Sequence, residues 1–331
     1  LKKVTTEDGK TTVQIELDYP AKTQGPVIEE MVRAKLVEAG IPADVKISQN
    51  IIAHEVQRGV KVFDSVRNII AVSSGKGGVG KSTVSANLAL ALQQEGAKVG
   101  LLDADVYGPS QPTMLGITDK PYSVDGKTLE PMIAHGLQVA SVGVLIDPDQ
   151  PMIWRGPLAV SALQQLLKQT NWKDLDYLIV DMPPGTGDIQ LSLSQEVPLT
   201  GAVVVTTPQD IALMDARKGL VMFEKVNVPI LGIIENMATH ICSKCGHEEH
   251  IFGEGGAAKM AAQYGVDLLG ELPLDINIRL SMDKGEPIVI SEPDSKVAQV
   301  YRDIARKLAI AVSKKNKDYS AKMPSIKVSD T

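Results

Sequence analysis

Eight residues, Gly75-Lys76-Gly77-Gly78-Val79-Gly80-Lys81-Ser82, with Thr83 behind them, constrain this chain more than any other stretch. They satisfy G-x-x-x-x-G-K-[ST], a loop that grips nucleotide phosphates when it joins a buried strand to a helix. Both flanks are present. Asn68 to Ser73 is short, apolar and partly β-branched, and reads as a buried strand. Val84 to Glu95 is rich in Ala, Leu and Gln, without proline or glycine, and reads as a helix. The loop's glycines let successive backbone N–H groups converge on phosphate oxygens with no Cβ in the way. The helix N-terminus adds the positive end of its dipole. The pattern puts Lys81 at the β/γ-phosphates of ATP and the Ser82 hydroxyl on Mg²⁺.

Further along, buried runs end in acids. Lys98 to Leu102 reads as a strand closed by Asp103-Ala104-Asp105, and Leu175 to Asp181 is the clearest buried strand of all. Carboxylates at the C-terminal ends of parallel strands face the ligand crevice of an open α/β sheet. The plainer reading of Asp103 and Asp105 is a pair of loop aspartates capping the next turn. Asp181 stands where an acid binds a Mg²⁺-bound water or the loop hydroxyl. The segment Met182 to Asp188 carries two prolines and two glycines, a loop suited to sensing a γ-phosphate through backbone N–H groups. Ala202 to Thr206 and Pro229 to Glu235 read as strands, with a helix from Ile211 to Lys225 capped by Asp210. Asn236 ends the latter strand and carries both an amide and a carbonyl, so it can read an adenine edge. Arg155, at a helix entrance, is either a surface cation or a phosphate or interface contact.

The 331 residues suffice for about two domains. Residues 1–55 form a β-α-β unit: alternating Thr11 to Asp18, a helix from Val27 to Ala39 stopped by Gly40, and alternating Val45 to Ile52. Residues 56–67 read as a linker, 68–313 as the nucleotide domain and 314–331 as a polar tail. Asp119 to Glu130 is turn-rich and suits a hairpin, and Leu137 to Val144 suits a strand. A stripe from Val297 to Leu308 marks a helix packed on the sheet rather than on a membrane. Net charge of −6 argues against a general nucleic-acid binder, and no apolar run is long enough to span a membrane. Two cysteines and no leader-like start point to a reducing cytosol, without disulfides.

Those cysteines are Cys242-Ser243-Lys244-Cys245, with His240, His247 and His250 nearby. Zinc held by two cysteines and two histidines is one chemical possibility. An iron–sulfur cluster normally takes four thiolates, and two chains about a twofold axis supply four. Chemistry alone leaves zinc and cluster level.

Lys76 behind the first glycine makes the loop resemble the deviant phosphate loop of the MinD, ParA, ArsA and nitrogenase iron-protein class. That resemblance implies a nucleotide-sandwich dimer in which Lys76 reaches the partner's nucleotide. It also implies that Asp105 positions the attacking water, that Asp103 helps hold the metal shell, and that Asn236 contacts the base. Residues 68–290 carry Gly-Lys-Gly-Gly-Val-Gly-Lys-Ser, Asp-Ala-Asp-Val-Tyr-Gly-Pro-Ser, Trp-Arg-Gly-Pro, Asp-Met-Pro-Pro-Gly-Thr-Gly-Asp, Glu-Asn-Met and Cys-x-x-Cys in that order. In this order the motifs resemble the Mrp/ApbC family of iron–sulfur carrier ATPases. The N-terminal unit resembles the C-terminal part of the small iron–sulfur-assembly domain of such proteins, without the cysteine often found in its loop. The resemblance implies a [4Fe–4S] cluster held by Cys242 and Cys245 of two protomers, slow ATP hydrolysis, an assembly scaffold as donor and apoproteins as acceptors. The histidines have no place in that pattern. The expected fold is a doubly wound, mainly parallel α/β sheet of the P-loop NTPase type, behind a small α+β domain. The alternatives are a positioning ATPase of the ParA/MinD kind, which has no need of the cysteine pair, and a small-molecule kinase.

Overall fold

A computed structural model of the chain describes residues 1–8, 10–57, 60, 62–144, 156–242 and 244–318. The readings made for Trp154, Arg155, Ser243 and residues 319–331 fall outside them. The N-terminal unit is a three-stranded sheet of β1 (Lys3–Glu7), β2 (Lys10–Leu17) and β3 (Ala43–Gln49), with α1 (Gly25–Glu38) between the last two. β2 pairs antiparallel with β1 and parallel with β3, and β1 was not anticipated. The chain then enters the large sheet through β4 (Val66–Ser73), α2 (Lys81–Gln94) and β5 (Val99–Asp103). There follow α3 (Gln111–Met114), β6 (Met132–Ala134), β7 (Leu137–Ser141), α4 (Gly156–Gln169), β8 (Leu175–Asp181) and α5 (Asp188–Glu196). After these come β9 (Gly201–Thr206), α6 (Asp210–Lys225), β10 (Ile230–Glu235) and a small hairpin of β11 (His240–Ile241) and β12 (Glu248–Glu249). The last elements are α7 (Gly256–Tyr264), β13 (Leu268–Glu271), α8 (Ile276–Asp283), α9 (Ile288–Ser291) and α10 (Lys296–Ser313).

The strand order of the large sheet is β13-β10-β9-β4-β8-β5-β7-β6, parallel except where β6 returns against β7. A parallel sheet is covered on both faces, so its strands are apolar throughout rather than alternating; Ile69, Ile70, Ala71 and Val72 are all buried. One apolar layer joins the sheet to α2 and α10 through Leu88, Leu92, Tyr301 and Leu308. The other joins it to α4 and α6 through Leu163, Leu166, Leu220 and Phe223. The fold is therefore doubly wound. From β4 the chain crosses α2 to β5 and leaves a slot that β8 fills later, while β9 lies on the other side of β4. That reversal opens a crevice at the C-terminal ends of the strands, where ligands of such sheets bind.

Three local expectations change. Asp119 to Glu130 forms no hairpin: Asp125 Oδ1 accepts the N–H groups of Lys127 and Thr128 in a side-chain-capped turn. The hairpin falls at β6–β7, around His135 and Gly136, both at positive φ as a two-residue hairpin turn demands. β7 stops at Ser141, where a 3₁₀ turn over Val142–Val144 begins. The 56–67 stretch is tied down at its start, since buried Gln57 bonds Ser194 O, Val197 O and Leu199 N. The apolar stripe of α10 is buried against α2, with Ala298, Ile304 and Leu308 inaccessible. The two units also meet at fully buried Glu95, the residue after α2. It accepts from Thr23 N (3.0 Å), Thr23 Oγ1 (2.6 Å) and Arg306 Nη1 (2.6 Å).

Candidate nucleotide site and cysteine hairpin

Sheet register builds the site. Asp103 pairs with Asp181 across β5 and β8, and Val72 pairs with Asp181 across β4 and β8. The phosphate loop therefore leaves β4 directly beside two strand-terminal carboxylates. Gly75 packs against α6, close enough that an added Cβ would lie 2.1 Å from the carbonyl carbon of Asp215. Gly77 and Gly78 are exposed, Gly78 and Gly80 have φ of +79° and +81°, and Val79 is buried. Ser74 Oγ donates to the Lys76 carbonyl, and the Lys76 ammonium has no partner among the described residues. α2 begins at Lys81, so the loop's N–H groups and the helix terminus point into one cleft of about 210 Å³. Gly77, Gly78, Gly80, Lys81, Ser82, Thr83 and Asp105 line it. A larger hollow of about 740 Å³, between residues 115–122 and β6, contains none of the loop.

Inside the cleft the charges compensate one another. Lys81 Nζ lies 2.6 Å from Asp181 Oδ1, 3.2 Å from Ser82 Oγ and 3.7 Å from Asp105 Oδ2. Asp181 Oδ1 also accepts from Ser85 Oγ, and Oδ2 from Gln111 Nε2, both at 2.9 Å. Asp105 caps the N–H groups of Tyr107 and Gly108. Asp103 Oδ2 accepts from Ser110 N, Gln111 N and Ser141 Oγ, and Oδ1 from Asp105 N. These bonds favour its ionised form, but burial and the neighbouring Asp181 outweigh them and push the Asp103 carboxyl up to about 7. Behind the loop, Gly185 N donates to Ser74 O, and Gln190 Nε2 bonds Ser73 Oγ and Pro183 O. Those contacts fasten the Met182–Asp188 segment to the phosphate loop.

Asn236 Nδ2 donates 2.8 Å to the Val79 carbonyl, so this side chain braces the loop from behind. Its Oδ1 carries no hydrogen bond among the described residues. Four residues beyond Asn236 the β11–β12 hairpin starts, and Cys242 and Cys245 sit at its turn. Cys242 N donates to His247 O and Gly246 N to Cys242 O, with Gly246 at φ +72°. The N–H groups of Cys245 and Lys244 hold the Cys242 thiol below its ordinary value. Cys245 is exposed. His240 and His250 are committed elsewhere, through their Nδ1 atoms, to the carbonyls of Leu274 and Ala238. Among the described residues no three His, Cys, Asp or Glu side chains converge as a metal group. The hairpin thus offers a pair of thiols.

Sequence reasoning passed over Gln111, Ser85, Ser141 and Gln190, which hold the acids and the switch loop in place. Gln111 is the next residue after the Asp-Ala-Asp-Val-Tyr-Gly-Pro-Ser motif.

Residues 65–309 match the ParA family model described as the NUBPL iron-transfer P-loop NTPase. The "Iron-sulfur cluster carrier protein" of Salmonella typhimurium is 55% identical over 303 residues, covering 90% of this chain and 82% of that one. The protein of the same name from Escherichia coli K12 is 59% identical over 267 residues, covering 80% and 72%. Among solved structures, the nucleotide-binding protein of Archaeoglobus fulgidus, in complex with ADP, superposes with a TM-score of 0.63 at 37% identity. That match covers 72% of this chain and 93% of that one. A strand–loop–helix phosphate site, acids ending the neighbouring strands and a match across most of the length place this chain in the NUBPL iron-transfer branch of the ParA family of P-loop NTPases.

Proposed function

We propose that the chain is an ATP-dependent iron–sulfur carrier, which holds a [4Fe–4S] cluster across a homodimer and delivers it to apoproteins. The observation that carries this reading is the thiol pair, hung on a hairpin four residues past the asparagine that braces the phosphate loop. A cubane cluster takes about four thiolates, and two symmetry-related hairpins bring that number. The N–H groups directed at the Cys242 sulfur stabilise the thiolate that a cluster needs. An upstream assembly scaffold supplies the cluster, and apo iron–sulfur proteins receive it. The carrier names of the two bacterial relatives support the same reading.

Hydrolysis belongs to the other end of the molecule. The donor set, the Ser82 hydroxyl and Asp105 carboxylate lining the cleft with Asp181 and Asp103 buried behind them, is all hard oxygen and suits Mg²⁺. When bound, the cation neutralises phosphate charge. Lys81 exchanges Asp181 for the β/γ-phosphates, the loop N–H groups orient the phosphate chain, Asp105 positions the attacking water, and Lys76 reaches the partner's nucleotide. Asn236, whose Oδ1 has no partner among the described residues, contacts the base. These side chains thus share one slow hydrolysis that is coupled to moving the cluster.

Anaerobic reconstitution with iron and sulfide tests the proposal. The wild-type chain should turn brown, with about four irons per two chains, and Cys242→Ala should stay colourless. A chain that remains monomeric with nucleotide and iron supplied, or a chromophore indifferent to Cys242→Ala, overturns it.

A further inference from the structure

We propose that Gln111 is a positioning residue for ATP hydrolysis, the tie through which the Asp103–Gln111 segment sets the Asp181 carboxylate against the phosphate loop. Gln111 is fully buried and touches three elements at once. Its Nε2 donates to the Ser82 carbonyl on α2 and to Asp181 Oδ2 on β8, both at 2.9 Å, and its backbone N–H reaches Asp103 Oδ2 at 3.1 Å. Those two acceptors fix the amide's orientation, because turning it over would set Oε1 against a carbonyl and a carboxylate.

The arrangement matters because of what Lys81 must do. Its ammonium now rests on Asp181 Oδ1, and binding phosphates draws it away. Asp181 then keeps two donors, Ser85 Oγ on Oδ1 and Gln111 Nε2 on Oδ2, and these preserve its orientation. Gln111 Oε1, meanwhile, is buried with no donor among the described residues. Buried polar groups ordinarily find a partner, so this acceptor has room for one. A water of hydration on the nucleotide's divalent cation would supply the missing donor.

The proposal rests on the ATPase reading and is independent of the cluster, so it is tested on the full chain without iron. Gln111→Leu should lower kcat by about 10- to 100-fold, the range for losing a hydrogen bond to a charged group, with KM for ATP little changed. In a separate binding titration with a fluorescent ADP analogue, the same variant should need more Mg²⁺ for half-maximal tightening. Gln111→Glu supplies a readout that mere space-filling cannot mimic. The groups around it are Lys81 from α2, Asp181 from β8, and Asp103 and Asp105 from β5 and the loop after it. On α8, which packs against α3, Arg279 and Asp283 pair with each other. A protonated Glu can still donate to Asp181, whereas an ionised one repels it. The variant-to-wild-type activity ratio should therefore rise as pH falls. A Leu variant within about threefold of wild-type kcat and unchanged in its Mg²⁺ requirement overturns the proposal while leaving the ATPase reading intact. So does a pH-independent Glu ratio with both variants reduced only by their folded fraction, read by circular dichroism. A wild-type chain that hydrolyses no ATP removes both.

Discussion

Two glycines of the phosphate loop are glycines for different reasons, and alanine separates them. At Gly75 an added Cβ would lie 2.1 Å from the Asp215 carbonyl carbon, 2.2 Å from its oxygen and 2.5 Å from Ala216 N. All three are backbone atoms within α6, so no side-chain rotation relieves the overlap. An ordinary carbon contact is about 3.5–4.0 Å, so α6 or the loop must move by roughly 1.5 Å. α6 cannot move alone, because Ala216, Leu220 and Phe223 anchor it in the core. Overpacking costs typically 1–3 kcal/mol, and a backbone clash belongs at about the upper end. A domain of this size loses about 2–4 °C of Tm per kcal/mol, so Gly75→Ala should melt roughly 6–12 °C below wild type. Gly77 meets nothing within 4 Å and is exposed. Gly77→Ala should therefore melt with wild type, yet its Cβ stands where phosphate oxygens approach the loop's N–H groups. Its affinity for a fluorescent ADP analogue should drop by about tenfold or more. Thermal unfolding without nucleotide, followed by the binding titration, reads both effects. A Gly75→Ala chain that melts like wild type, or a Gly77→Ala chain that binds like it, refutes the division.

Three other outcomes follow from single groups. Because N–H groups of Cys245 and Lys244 lower the Cys242 thiol, iodoacetamide at neutral pH should label Cys242 before Cys245 in the cluster-free chain; equal labelling by mass spectrometry contradicts this. Asp103, raised from 3.8 to about 7, keeps its proton when folded at pH values where the unfolded chain has lost it. Stability therefore falls as pH rises through that window and levels off above it, a decline that Asp103→Asn should flatten in melting curves. Glu95→Ala removes the acceptor shared by Thr23 and Arg306 and should cost about 3 kcal/mol, the lower end for a broken buried pair, since Arg306 keeps Asp303. Limited proteolysis should then cut β1–β3 well before the large sheet, and an unchanged cleavage pattern would count against Glu95 as the fastening.

What was legible in the sequence, and what was not, follows from where this fold tolerates charge. In β5 and β8 the fully buried carboxylates, Asp103 and Asp181, stand at the C-terminal end, beside the loops that follow. Apolar runs closed by Asp103 and Asp181 therefore mark both the sheet and its crevice in the sequence. The same rule located Asn236 at the end of β10, but its partner, the Val79 carbonyl, is 157 residues away, so its bracing contact had no local signature. Gln111 was harder still, since its acceptors lie 29 and 70 residues off and no periodicity marks a buried glutamine in a four-residue helix. The misplaced hairpin has a local cause: glycine and aspartate around Asp125 make a capped turn, while the true hairpin turns on His135, an uncommon residue at positive φ. α5 escaped notice because its buried face includes Gln190 and Ser194, which blurs the apolar period. Local chemistry thus predicts which groups a strand end presents, and tertiary geometry decides which of them hold the others still. In this chain the second set, Gln111, Ser85, Ser141 and Asn236, holds the acids and the phosphate loop.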